Sequence, residues 1–274
     1  MYHVTTIDGT RLHVKDWGAG APVVLIHGWP LSADSWDAQA MAIAEAGYRV
    51  IAYDRRGFGR SSQPWTGYDY DTLADDLAAV IEQTGVQAAT LVGFSMGGGE
   101  VARYMRRHAG KSVAKAALVS AVAPFLLQTG DNPAGVEQAV FDEMTDALRG
   151  DRAGFFASFF KDFYGVGLMN KPVSSEVIDW SRSMAMQASL KATIECAKSF
   201  SRTDFRLDLA SFKVPTLIVH GTADKTVPID PTGRAAAKAI PGAQLIEYEG
   251  APHGIFASHK EELSEDLLRF LAAG

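Results

Sequence analysis

Gly93-Phe94-Ser95-Met96-Gly97 is a G-x-S-x-G motif placed between a short apolar run, Ala89 to Val92, and helix-forming sequence. A serine on a sharp strand-to-helix turn presents its hydroxyl clear of its surroundings, as a nucleophile must. Such a turn holds a non-glycine residue at an unusual φ/ψ, a strain of roughly 1–3 kcal/mol, and Gly93 and Gly97 supply the room for backbone to approach backbone. Gly97, Gly98 and Gly99 precede good helix-forming sequence although a glycine inside a helix costs up to about 1 kcal/mol against alanine. An ordinary glycine-rich β–α connection would share these features, so the partners of Ser95 decide.

A serine nucleophile needs a base within hydrogen-bond reach and an acid that holds the base in the right tautomer. Among seven histidines, His253 sits in Glu249-Gly250-Ala251-Pro252-His253-Gly254, a small-residue loop between a strand and the last helix. That is the carboxyl edge of the sheet, where α/β enzymes put their working side chains. His3 and His13 fall in a hairpin, His108 at a helix end and His259 at a helix start, which are surface or capping positions. His27 and His220 also end strands, so indirect contact with the site stays open for either.

For the acid, Asp224 follows the strand Thr216 to Val219 and also lands on a strand-end loop; its simpler role would be to cap the local turn. Asp230 is better placed to cap the helix that starts near Pro231. The chain order is then Ser95, Asp224, His253, which is the order of the α/β-hydrolase triad. The oxyanion donors of that arrangement would be the backbone N–H groups of Met96 and of Trp29 in His27-Gly28-Trp29-Pro30. Losing one such donor typically costs roughly 2.7–4 kcal/mol in the transition state. Pro30, without an N–H, restricts the loop instead.

Other chemistries lack their residues. There is no G-x₄-G-K-S/T, no H-E-x-x-H and no C-x-x-C, and Gly57-Phe58-Gly59 is an incomplete dinucleotide fingerprint. Asp54-Arg55-Arg56 could hold an anionic substrate, but ion pairs that brace a strand-end loop are the simpler expectation.

The elements that must position these residues follow from the hydrophobic pattern. An Asp8-Gly9 turn joins two strands, Val4 to Ile7 and Leu12 to Trp17, as a hairpin. Continuous apolar runs at Pro22 to His27 and Tyr48 to Tyr53 read as buried strands, and Ala89 to Phe94, Val113 to Ala121, Pro215 to His220 and Gln244 to Tyr248 read as further strands. Helical sequence lies between them: about 35–46, closed by Gly47, then 71–84, 97–108, 231–240 and 259–272. This alternation specifies βαβ units and a parallel sheet with helices on both faces. From Phe125 to Asp204 only helical signals occur. The expected organisation is therefore a first core segment at 1–124, an all-helical cap at 125–205 and a second core segment at 206–274.

At 274 residues and 47% hydrophobic content, the chain is long enough to bury roughly 75% of its unfolded surface. Its 26 basic and 32 acidic residues leave a net charge of −6 with no basic patch, which excludes a nucleic-acid partner. The single cysteine, Cys196, rules out a disulfide framework and a Cys₂ or Cys₄ metal site. The start, Met1 to Thr6, lacks a basic region followed by an apolar one. The most apolar stretch, Ala116 to Leu127, is broken by Ser120 and Pro124 and is shorter than the ~20 residues of a membrane span. A soluble, cytoplasmic protein with no membrane partner is expected, and a homo-oligomer is compatible with the sequence.

Together these strings, His27-Gly28-Trp29-Pro30, Asp54-Arg55-Arg56-Gly57-Phe58-Gly59-Arg60-Ser61, Gly93 to Gly99 with Val101-Ala102-Arg103-Tyr104, Asp224 and Ala251-Pro252-His253-Gly254, cover nearly the whole chain. They resemble the α/β-hydrolase superfamily and, within it, the bacterial aryl esterases and cofactor-free haloperoxidases, or perhydrolases. The resemblance implies an eight-stranded sheet under a helical cap. It implies hydrolysis of small esters through an acyl-enzyme, and peracid formation from a carboxylic acid and hydrogen peroxide with no cofactor. Water or peroxide would then be the second substrate. A related branch opens γ-lactams. Proline at the position of Pro30 accompanies strong perhydrolysis in the family. Ser95 separates the chain from the aspartate-nucleophile dehalogenases and epoxide hydrolases, and Met96 from proline iminopeptidases with tryptophan after the serine. A non-catalytic binding protein on this fold would have lost a triad member or the oxyanion loop, and none is missing.

The cap carries six aromatics in the ten residues from Phe155 to Tyr164. Their helical spacing makes one broad apolar face, part packed on the core and part roofing a pocket. Pro30, Phe125, Phe159 and Phe163 are the expected pocket residues, and a small apolar acyl or aryl group is the expected occupant.

Overall fold

The computed structural model describes residues 2–273; residues 1 and 274, the outer limits of the two expected core segments, lie outside the described residues. The hairpin forms from β1 (Tyr2–Thr5) and β2 (Arg11–Gly18), and its turn places Gly9 at φ 82°, where a side chain would strain the backbone. The following strands are β3 (Pro22–Ile26), β4 (Arg49–Tyr53), β5 (Ala89–Phe94), β6 (Val113–Val119), β7 (Thr216–Gly221) and β8 (Gln244–Tyr248). They make one eight-stranded sheet in the order β1-β2-β4-β3-β5-β6-β7-β8. Only β2 runs antiparallel to its neighbours; every pairing from β4 onward is parallel.

The central strands are buried on both faces: every residue of β5 and β7 is buried, whereas in the edge strand β8 only Tyr248 is. Burying a Val, Leu or Ile side chain fully stabilises the fold by roughly 1.5–3 kcal/mol. The helices that cover them are α1 (Asp37–Glu45), α2 (Tyr70–Thr84), α3 (Met96–Arg107), α8 (Ala235–Ala239), α9 (Ile255–Ser258) and α10 (Lys260–Ala272). Between β6 and β7 come α4 (Gln138–Phe163), α5 (Ser175–Gln187), α6 (Leu190–Arg202) and α7 (Arg206–Leu209). All regular elements of the insertion are thus helices. Among the described residues no helix is long and apolar enough to cross a membrane.

The first strand ends at Thr5, short of the expected Ile7, and four further departures from the sequence pattern have a local reason. The strand expected to reach Ala121 ends at Val119 because Ser120 turns to φ 44°, although its amide still bonds Val219 on β7 at 2.8 Å. The first helix is preceded by a 3₁₀ turn, Ala33–Trp36, capped by the Ser32 hydroxyl. The insertion opens with a non-helical loop pinned by isolated bridges, Leu127 to Val136 and Thr129 to Asn132; the Gly130, Pro133 and Gly135 it contains suit turns rather than a helix. Asp230 caps nothing: Ile229 is the N-cap of a π turn, Asp230–Arg234, and the Asp230 carboxylate instead accepts from Arg234 at 2.8 Å.

Helix α4 contains a break at Asp151 (φ −138°, ψ 85°). The Asp151 carboxylate accepts from the Gly154 amide at 2.9 Å and restarts the helix. The aromatic segment is therefore a capped helix of its own. Phe156, Phe160, Phe163 and Tyr164 are fully buried, whereas Phe155 and Phe159 are only half-buried.

Candidate active site

Four connections at the carboxyl edge of the parallel strands converge. The turn after β5 carries Ser95, the loop after β3 carries Trp29, the loop after β7 carries Asp224, and the loop after β8 carries His253. Ser95 stands at φ 53°, ψ −117°, outside the region open to ordinary residues. The glycines make this turn fit. A Cβ on Gly93 would meet the Gly97 carbonyl oxygen at 2.5 Å, and one on Gly97 would meet that of Ile26 at the same distance. The Ser95 amide donates to Val119 and its carbonyl accepts from Gly98, so the strained residue is held from both sides.

His253 Nδ1 lies 2.6 Å from Asp224 Oδ2, and its Nε2 lies 2.9 Å from Ser95 Oγ. A carboxylate only accepts, so Nδ1 carries the proton, Nε2 keeps its lone pair, and the serine hydroxyl donates to it. All three side chains are buried, Ser95 with 5% and Asp224 with 6% exposure. Burial alone would raise the Asp224 carboxyl. The neighbouring His253 and His220 imidazoles outweigh it and hold the group down at about 2. The Thr226 and Val227 amides fix the other oxygen, Oδ1, at 2.9 and 2.8 Å.

Met96 is the first residue of α3, whose N-terminal amides have no intrahelical partner. Among the described residues neither the Met96 nor the Trp29 amide donates to a protein acceptor. Both are therefore free to receive an anionic oxygen. The Trp29 ring is equally committed: its Nε1 donates to Thr193 of α6 at 3.0 Å, and its faces and edges meet Phe155, Phe156, Phe159 and Phe200.

Ser95 and His253 open into a cavity of about 660 Å³. Of the expected pocket residues, Phe159 lines it. Pro30, Phe125 and Phe163 do not stand among its lining residues. Pro30 is buried in the loop after β3, Phe125 packs against the Arg206 guanidinium at 5.1 Å, and Phe163 meets the His253 imidazole edge-on at 4.9 Å. Val122, Leu126, Phe141, Met144, Phe155 and Phe200 line the apolar wall instead. The i, i+3 spacing of Phe141 and Met144 was the available signal for that face. Glu143, Asp162, Lys225 and Thr226 supply its polar part.

The other singled-out residues form a second buried cluster. Arg55 pairs with Glu100 of α3, donates to the His27 carbonyl at 2.6 Å, and gives its amide to His27 Nε2 at 3.0 Å. Tyr53 donates to Glu100 at 2.8 Å. Arg56 pairs with Asp76 and Asp8, and Asp54 accepts from Arg60 and the Ala33 amide. The Asp-Arg-Arg run thus braces the loops beside the elbow. Burial and the adjacent Arg55 charge hold His27 well below its ordinary value, so it is neutral. Among the described residues no group of three or more His, Cys, Asp or Glu side chains is arranged to hold a metal ion.

The profile of the alpha/beta hydrolase fold family matches residues 21–260. A non-heme chloroperoxidase of Streptomyces lividans is 47% identical over 274 residues, covering 99% of each chain. A bifunctional esterase/perhydrolase of Acinetobacter calcoaceticus is 44% identical over 275 residues, again with 99% of each covered. Among solved structures, a bromoperoxidase from Bacillus anthracis superimposes with a TM-score of 0.96 at 44% identity, covering 99% of this chain and 100% of its own. With the profile spanning most of the chain and relatives aligned from end to end, the protein belongs to the alpha/beta hydrolase fold family.

Proposed function

We propose that the protein is a serine hydrolase of small carboxylic esters, with Ser95, His253 and Asp224 as its catalytic triad. The observation that carries this reading is the His253 Nε2 to Ser95 Oγ contact of 2.9 Å at the floor of the cavity. Ser95 Oγ attacks the ester carbonyl carbon while His253 Nε2 takes its proton. The Trp29 and Met96 amides hold the oxyanion of the tetrahedral intermediate. As the ester C–O bond breaks, the His253 imidazolium returns the proton to the departing alcohol and leaves an acyl-Ser95. Water, deprotonated by His253, then releases the acid and restores the serine.

A second reading is favoured by the relatives named for chloroperoxidase and perhydrolase activity. Hydrogen peroxide takes the place of water on the acyl-enzyme, so the product is a peracid, and no redox group enters that exchange. The helices of residues 125–205 serve as the cap that roofs the cavity and excludes bulk water. The only cysteine, Cys196, is buried and unpaired, with burial pushing its thiol up to about 12. That state is in keeping with work in the reducing cytoplasm.

The test is a parallel assay of one preparation for aryl acetate hydrolysis, γ-lactam opening and bromination by acetate with peroxide, alongside labelling with a serine-directed fluorophosphonate. Ester turnover with label confined to Ser95 is the expected result. Absence of label at Ser95 would overturn the reading, and lactam opening without ester turnover would move it to amides.

A further inference from the structure

His220 is buried polar chemistry that the triad does not use. It sits on β7, four residues before Asp224, and is 0% exposed. Its Nε2 lies 2.9 Å from the Val227 carbonyl oxygen and 3.3 Å from Asp224 Oδ2. Both neighbours only accept, so Nε2 carries the proton, donates it to the Val227 carbonyl and turns the same edge toward Asp224 Oδ2. The other ring nitrogen, Nδ1, has no hydrogen-bond partner among the described residues. Gly233 presses on that side so closely that a Cβ there would come within 2.8 Å of it. A second proton on Nδ1 would be buried without an acceptor, which favours the neutral, Nε2-protonated ring.

We infer that His220 is a positioning residue for the triad: its Nε2–H ties the Asp224 carboxylate to the Val227 carbonyl and so fixes the rotamer in which Oδ2 faces His253. The inference rests on the serine-hydrolase reading of the same site. Three N–H groups bond the carboxylate, from Thr226, Val227 and His253, and the His220 N–H stands 3.3 Å from Oδ2 as a fourth, longer contact. A carboxylate offers about four acceptor positions, so the set is full. Each donor withdraws charge from the oxygens. Removing His220 concentrates the negative charge that faces His253, favours the imidazolium, and moves the acid limb of the rate profile to higher pH.

Few other groups compete for that effect. Glu247 stands beside His220 on β8 but is bound to Arg234 through both oxygens. On the cavity side, the charged groups near His253 are Glu143, Asp162 and Lys225.

The test uses His220→Leu, which removes the donor, and His220→Gln, whose terminal amide can reach the place of Nε2. For aryl acetate hydrolysis the Leu variant should lose roughly 10- to 100-fold in kcat, the range typical of residues that orient a reactive group. Its KM should stay within about twofold, and its acid limb should move to higher pH. The Gln variant should regain most of the rate and the original limb. Active-site titration with fluorophosphonate corrects for misfolded enzyme. A Leu variant with unchanged kcat and pH profile per titrated site would overturn the inference, as would a loss that disappears on that correction. Should the Leu variant not fold, ¹⁵N-histidine spectra of the unaltered protein decide: His220 protonated on Nε2 supports the inference, and a proton on Nδ1 overturns it. If the unaltered protein turns over no ester, the serine-hydrolase reading fails first, and the tautomer alone then decides the placement of His220.

Discussion

Two buried polar clusters flank the Ser95 turn and are built from the same materials. One joins Asp224, His220 and His253; the other joins Glu100, Arg55, Tyr53 and His27. The second closes on itself, each strong donor meeting an acceptor within the protein. The first has one loose end, the His253 Nε2 lone pair, which faces a hydroxyl that lines a cavity. Their carboxyls also respond differently to burial. Burial wins at Glu100 and raises it above the ordinary carboxylate range despite Arg55 and Tyr53, whereas the donors win at Asp224 and hold it at about 2. Asp224 stays charged because its donors outweigh burial, and one of those donors, His253, presents its other nitrogen to Ser95.

The contrast breaks most visibly at the serine. Ser95→Ala should lower kcat for an aryl acetate by about 10⁶-fold while the unfolding midpoint holds; steady-state rates beside a thermal melt check both, and a near-native rate would remove Ser95 from the reaction. Asp224→Asn should cost about 10⁴-fold in kcat by stabilising the wrong imidazole tautomer, with fluorophosphonate labelling slowed in parallel. The closed cluster should show the reverse signature. Glu100→Ala leaves the Arg55 charge buried and unpaired and should lower unfolding free energy by roughly 3–5 kcal/mol. The rate per titrated active site should change little; a large loss of rate at unchanged stability would merge the two clusters.

Acid should separate them again. Because Asp224 is depressed from 3.8 to about 2 on folding, its contribution to stability is complete above 3.8 and is lost as pH falls toward 2. The shift is worth about 2 kcal/mol. Melts between pH 2 and 5 should show that slope in the native chain and lack it in Asp224→Asn. The smallest effect belongs to the cavity wall. Phe159→Ala should reduce kcat/KM for aryl esters by about tenfold and for acetyl esters of small alcohols by less, which a substrate series reads directly.

Ser95, His253 and Asp224 were legible because each chemistry needed a residue type at a strand end, and strand ends are marked by apolar runs that stop at glycine. The eight strands were legible for the same reason. The pocket was not: Phe125 and Phe163 have the right type, but Arg206 claims one and the His253 ring the other, and such partners lie far away in sequence. The face of the cap that does line the cavity comes from four separated segments around Leu126, Met144, Phe159 and Phe200. His220 could be flagged as a strand-end histidine, yet its bond to Val227 depends on how the loop after β7 folds back. Asp230 failed as a cap because the chain enters a π turn one residue early, with Ile229 at the N-cap.

Ser95 and His253 stand 158 residues apart in the chain, with the whole insertion between β6 and β7 lying between them. At a synthesis rate of about 5–20 residues per second, Ser95 leaves the ribosome roughly 8–30 s ahead of His253. Throughout that interval Ser95 has no imidazole beside it, since His253 has not yet been made. The hydrolase therefore arms itself late in its own synthesis, after the cap helices and β7 have emerged.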